Sequence, residues 1–262
     1  MGTMSTSTDL VSTTLVRVAC DGERVRVELS SHAPSAAPQV RPMLLASDAA
    51  GARVALVPDG ALLLADDHVR IVVEVGAGAA LELVEPGGTV AYDMDGRSAR
   101  WDVHATVSEG ASLLWHGEPF VVSAGARVRR TTRVVAAEEA RVAIREVLVL
   151  GRHGEVPGLL EQHTACVRPD GHPVLIEALE VDAARCQAWL GGRPVVASVM
   201  TLGLDPQEPA SSTVRFDLEE GGHVYRACAG SAHEAADHGL WDQVARAIRS
   251  RTSNSMPTAS AR

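Results

Sequence analysis

The 262-residue chain carries 24 basic and 33 acidic side chains, a formal charge of −9, and every basic residue is arginine. Without lysine it can neither form a Schiff base nor hold pyridoxal phosphate nor close a phosphate-binding loop ending in GK[ST], and its acidic balance offers no nucleic-acid or anionic-membrane surface. Four cysteines, Cys20, Cys166, Cys186 and Cys228, are scattered with no CxxC pair, which predicts reduced thiols in a cytoplasmic protein.

Residues 1–14 are rich in serine and threonine and predict a disordered tail. They lack the charged start and apolar stretch of a signal peptide. From residue 15 to 249 the sequence predicts a single all-β domain made of short Val- and Leu-rich runs. These include VRVEL at 25–29, RVALV at 53–57, VRIVVEV at 69–75, ARVAIREVLVL at 140–150 and PVLIEALEV at 173–181. In VRIVVEV, Val69, Ile71, Val73 and Val75 share one face, the period-two pattern of a strand. No apolar run approaches the roughly 18–20 residues that span a bilayer.

A weak repeat runs through the first half. Gly51 opens GARVALVPDG, Gly78 opens GAALELVEPGG, Gly110 opens GASLLWHGEP, and a fourth copy, EARVAIREVLVLG, starts at Glu139. Each reads as a tight turn, an alternating strand and a polar break. Stacked units of this period build a β-solenoid or a layered pair of sheets. Two helical segments follow. DAARCQAWLGG at 182–192 ends on its glycine pair. The stretch 231–249 offers Ser231 as N-cap with Glu234 three residues on, then an apolar stripe of Leu240, Trp241, Val244, Ala247 and Ile248. Residues 250–262 predict a second disordered tail.

The tripeptide His-Gly-Glu occurs twice, at 116–118 and 153–155. As ligands, His116 with Glu118, or His153 with Glu155, would point the same way from an extended chain and could serve a metal-dependent β-barrel or jelly-roll enzyme. The central glycine and the nearby proline favour a turn at each copy. His163 and Cys166 have a spacing that could hold a soft metal, but no second pair completes it. No GxSxG nucleophile elbow is present. In ARVRRTTRVV, Arg127, Arg129, Thr131 and Arg133 fall on one face, with Val128, Arg130, Thr132 and Val134 on the other. The arginine stripe reads as a solvated face or a docking surface for an acidic partner.

From Gly110 to Glu155 the order of elements resembles the urease accessory protein family UreD (UreH). The resemblance rests on Gly110-Ala111, Leu114-Trp115, Glu118-Pro119, Gly125-Ala126, the arginine/threonine strand from Arg130 to Arg133, Glu146, Gly151-Arg152 and Gly154-Glu155. Upstream the chain departs from the family pattern, with VPDGALLLADD and EPGGTVAYD in place of the family's HPPGG and TTQ segments. The resemblance implies a β-solenoid-like fold with a small C-terminal helical complement and a non-catalytic scaffold. Such a scaffold binds the urease apoprotein with UreF and UreG and handles nickel transiently, with no stably bound cofactor. Under that reading Glu118, Glu146, Arg152 and Glu155 would contact partners or line a polar path for the ion.

Overall fold

The computed structural model describes residues 11–22, 24–34, 37–206, 213–235 and 238–253. Sixteen strands in the described residues form two facing sheets. The first sheet is ordered β13 (Pro173–Val181), β12 (Leu159–Val167), β10 (Arg127–Ala136), β8 (Ala99–Val107), β5 (His68–Val75), β1 (Val11–Asp21) and β2 (Arg24–His32). The second runs β15 (Val214–Asp217), β16 (His223–Ala229), β14 (Val195–Leu202), β11 (Arg141–Leu150), β9 (Ser112–Val122), β6 (Ala80–Val84), β4 (Gly51–Asp59) and β3 (Gln39–Ser47), with the short β7 (Thr89–Ala91) also pairing β9.

The chain passes from one sheet to the other and back, so the central strands of each sheet are parallel neighbours. This is the predicted solenoid-like stack. The four repeat copies are its rungs in the second sheet: Gly51 pairs with Ala80, Ala80 with Ser112, and Ser112 with Arg141. Gly78 and Gly110 hold φ of +68° and +63° in the turns entering β6 and β9, a conformation that penalises any residue with a Cβ.

The core fills the space between the sheets. Val69, Ile71, Val73 and Val75 point into it as their alternation predicts, and meet Leu81, Leu83, Leu113, Val142 and Leu150 from the second sheet. Such packing of aliphatic layers supplies most of the stabilisation of a stacked-strand fold. The outer face of the second sheet is covered by α3 (His238–Ser253), whose Leu240, Trp241, Val244 and Ile248 bury Leu114, Ala143, Val199 and Tyr225. On the first sheet's outer face Arg127, Arg129 and Arg133 are exposed, and Arg129 is forked onto Glu161 of the same chain.

The two predicted helical regions are present. In α1 (Ala183–Leu190) Asp182 caps the start by accepting from the Arg185 N–H, and Gly191 closes the end in the left-handed conformation. Ser231 accepts from the Glu234 N–H ahead of α2 (Ala232–Ala235), and α3 follows. Residues 11–14, expected in a tail, instead begin β1. Thr14 is fully buried there and donates to the Val40 carbonyl, a hydrogen bond that ties the segment to β3. Likewise 250–253 belong to the last turn of α3. Residues 1–10 and 254–262 lie outside the described residues. No described helix is long and apolar enough to cross a membrane.

Candidate functional site: a polar row between the sheets

The first His-Gly-Glu is a bulge inside β9, where a turn was expected. Arg145 of β11 pairs with His116, but Val147 pairs with Pro119, so β9 fits one extra residue between them. A Cβ on Gly117 would lie 2.4 Å from the Arg145 carbonyl oxygen, which is why glycine stands there. Pro119 resumes the strand beyond the irregularity, one of the positions where a sheet tolerates proline. The second copy is a turn as expected, with Gly151 and Gly154 at φ of +91° and +76°.

Opposite the bulge the pairing is broken on the other side too. β6 ends at Val84 and β7 begins at Thr89, leaving residues 85–88 out of the ladder. Glu85 accepts from the Trp115 indole N–H at 2.9 Å and from the Glu118 backbone N–H at 3.0 Å. The Arg145 guanidinium donates to the Gly117 carbonyl at 2.7 Å. The result is a break in the ladder of the second sheet, filled by Glu85, Gly117, Glu118 and Arg145. It borders a small void whose inner wall includes Trp101, Phe120, Arg130 and Glu146.

Inside, polar side chains continue in a row across the strands. Arg130 of β10 pairs with Glu146 of β11 at 2.6 Å, their side chains only 12% and 16% exposed. Gln162 of β12 bridges both, accepting from Arg130 at 3.0 Å and donating to Glu146 at 3.2 Å. The Arg130 guanidinium lies 5.2 Å from the Phe120 ring centroid, within cation–π range. Further along, Arg226 of β16 is forked onto Glu177 of β13 at 2.6 and 2.9 Å and donates to the Ser198 hydroxyl of β14 at 3.1 Å. Strand register explains the alignment: Glu146 pairs with Ser198 and Ser198 with Arg226 in one sheet, while Thr132 pairs with Thr164 and Thr164 with Glu177 in the other. The row therefore runs along the stacking direction, a stripe of polar groups through an otherwise aliphatic layer.

Of the four residues singled out in the sequence, Glu118 and Glu146 belong to this row. Arg152 and Glu155 do not line its voids. They close their own turn, with the Arg152 Nε donating to Glu155 at 2.9 Å and Glu155 also accepting from the Arg152 and Ala124 N–H groups. The arginine beside it holds the Glu155 carboxyl down at about 2. His116 stacks on Trp241 with centroids 5.2 Å apart. His163 is exposed while Cys166 is buried on the opposite face of β12, its thiol pushed up to about 11 by burial. The two cannot share a ligand. Among the described residues no group of three or more His, Cys, Asp or Glu side chains is arranged to hold a metal.

Glu85, Glu177 and Arg226 are members of the row that belong to no motif, whereas Arg130 starts the arginine/threonine stretch of the UreD resemblance. For Glu85 a signal existed in the repeat. It lies seven residues after Gly78, as Glu146 does after Glu139, and Glu118 lies eight after Gly110 because of the bulge. Burial raises the Glu85 carboxyl above its ordinary value of 4.5, outweighing the two N–H donors. Between 4.5 and that raised value the folded chain keeps a proton that the unfolded chain has released, so stability falls as pH rises through the window. In urea melts from pH 4 to 8, wild type is expected to lose ground steadily to Glu85→Gln above pH 4.5. Parallel stability curves would refute the assignment.

Comparison with known proteins agrees with the resemblance carried by the Gly110–Glu155 motifs. The family model for UreD urease accessory protein matches residues 13–257. A protein named urease accessory protein UreD 1 from Streptomyces griseus subsp. griseus is 41% identical over 201 residues, covering 75% of this chain and 76% of its own length. The UreD 1 protein of Saccharopolyspora erythraea is 39% identical over 203 residues, 74% of this chain and 78% of its own. Streptomyces coelicolor has a UreD 33% identical over 183 residues, covering 67% and 70% respectively. Matched by the family model across nearly its whole length and by relatives up to 41% identical, this chain belongs to the UreD urease accessory protein family.

Proposed function

We propose that the chain is a non-catalytic scaffold of urease maturation in the cytoplasm. It binds the urease apoprotein together with UreF and UreG, and nickel passes transiently along its polar row toward the urease active site. The observation that supports this most directly is the line of polar groups from the ladder break at Glu85 and Glu118, past Glu146, to Glu177 and Arg226. Carboxylate and amide oxygens offer an ion several weak ligands in succession, so that it can enter and leave without being trapped. Nucleotide hydrolysis falls to UreG, since a chain without lysine has no phosphate-binding loop of the usual kind.

The test is co-expression of the tagged chain with the urease structural subunits and UreF. Both wild type and the double variant Glu118→Gln, Glu146→Gln are expected to co-purify with apo-urease, but the urease matured with the variant should contain little nickel. Unchanged nickel incorporation would remove the polar row from the mechanism. Failure of the wild-type chain to co-purify would remove the scaffold.

A further inference from the structure

The Arg130–Glu146 pair is the more buried of the two arginine–glutamate pairs in the polar row. Two voids of about 20 Å³ each flank it, and both are lined by Thr132, Ile144 and Glu146. That volume accommodates roughly one water molecule. The Thr132 hydroxyl, with its residue 4% exposed, and the Thr164 hydroxyl, at 8%, have no hydrogen-bond partner among the described residues. Buried hydroxyls rarely stay unpaired, and Thr132 lines both voids while Thr164 lines the second. A small polar species in these voids would satisfy them.

We propose that Arg130 is a tethered counter-cation that fills, and thereby closes, a divalent-cation site made by the Glu146 carboxylate, the Gln162 amide oxygen and the Thr132 hydroxyl. The inference rests on the reading of the row as a cation path. Three observations carry it. Arg130 takes one carboxylate oxygen of Glu146 and the Gln162 oxygen, two of the three ligands that an incoming ion would need. Its guanidinium is braced by Phe120, which fixes the positive charge in the passage. An all-oxygen donor set, completed by water, suits a hard or borderline divalent ion held loosely. At rest the site is occupied by protein charge, and an ion can cross between the two voids only after the guanidinium swings out.

The experiment is nickel binding by the purified full chain, measured by equilibrium dialysis with nickel chloride and by the change in melting temperature on adding it. Arg130→Gln is expected to bind one nickel on the order of tenfold more tightly than wild type, the size of effect that changing a supporting partner has on a metal site. Adding Glu146→Gln should abolish the gain. Arg130→Gln leaves Glu146 without its counter-charge, so its melting temperature should drop without nickel and be raised by added nickel more than that of wild type. Arg130→Lys, a point charge that cannot bridge both partners, should give a smaller gain. Equal affinity in wild type and both variants overturns the proposal, as does a gain that survives Glu146→Gln. Urease maturation with the same variants separates the two readings. Tighter binding with unaltered nickel delivery keeps the site and rejects the path. Unaltered binding, alongside lost delivery in the Glu118, Glu146 double variant, keeps the path and rejects the closure by Arg130.

Discussion

Trp115→Ala is expected to lose about 3–5 kcal/mol of unfolding free energy, the usual range for deleting a buried aromatic side chain. Trp115 is 5% exposed and belongs to the inter-sheet core, and its indole N–H is one of two donors to Glu85. The phenylalanine variant separates these roles. Trp115→Phe keeps most of the ring but leaves the Glu85 carboxylate a donor short, a loss of about 1–3 kcal/mol. That loss should be larger at pH 8 than at pH 4, because a protonated Glu85 asks less of its donors and its carboxyl already titrates above the ordinary range. Urea unfolding at the two pH values is the measurement. A phenylalanine variant equally stable at both would show that the indole acts as bulk alone.

Glu177→Ala is expected to cost about 2–3 kcal/mol, somewhat below the range for breaking a fully buried ion pair. The discount reflects side chains that are 30% and 31% exposed. The pair spans the two sheets, from β13 to β16, and Arg226 also donates to Ser198. Removing the acid strands a guanidinium between sheets that lacks other anions at bonding distance among the described residues. The double variant Glu177→Ala, Arg226→Ala should recover part of the loss, since the stranded charge is gone. A double variant no more stable than Glu177→Ala would mean that the two residues contribute through packing alone.

Sequence patterns revealed the strand class because period-two alternation is a local property, clear in residues 69–75 and in the four repeat openings. They also separated Arg130 from the exposed arginines of its strand, although which face turns inward depends on the second sheet. The bulge at Gly117 was hidden for a physical reason: glycine beside proline satisfies a turn and an interrupted strand equally well. Only the approach of the Arg145 carbonyl decides between them. Glu85 precedes Pro86-Gly87-Gly88, and such a context suggests solvent exposure. Glu177 and Arg226 meet across 49 residues, a contact for which no short-range pattern exists. The resemblance to UreD pointed to Glu118 and Glu146 in the row, and to Arg152 and Glu155, which the structure uses to hold one turn.

A stack of similar rungs has no inherent length: each parallel edge is a template for the next, in the same chain or another. Here the template is withdrawn at every border. The first sheet finishes in antiparallel partners at β13 and β2, and the second at β3 and through β14, β16 and β15. A further rung running in the direction of the interior strands would therefore pair antiparallel, with hydrogen-bond spacing unlike that of the interior. Reversal of direction at the borders ends the parallel ladder, and a variant that lost β2 or β3 is expected to leave a parallel-paired strand as a new open edge, a template for association seen as a rise in sedimentation coefficient.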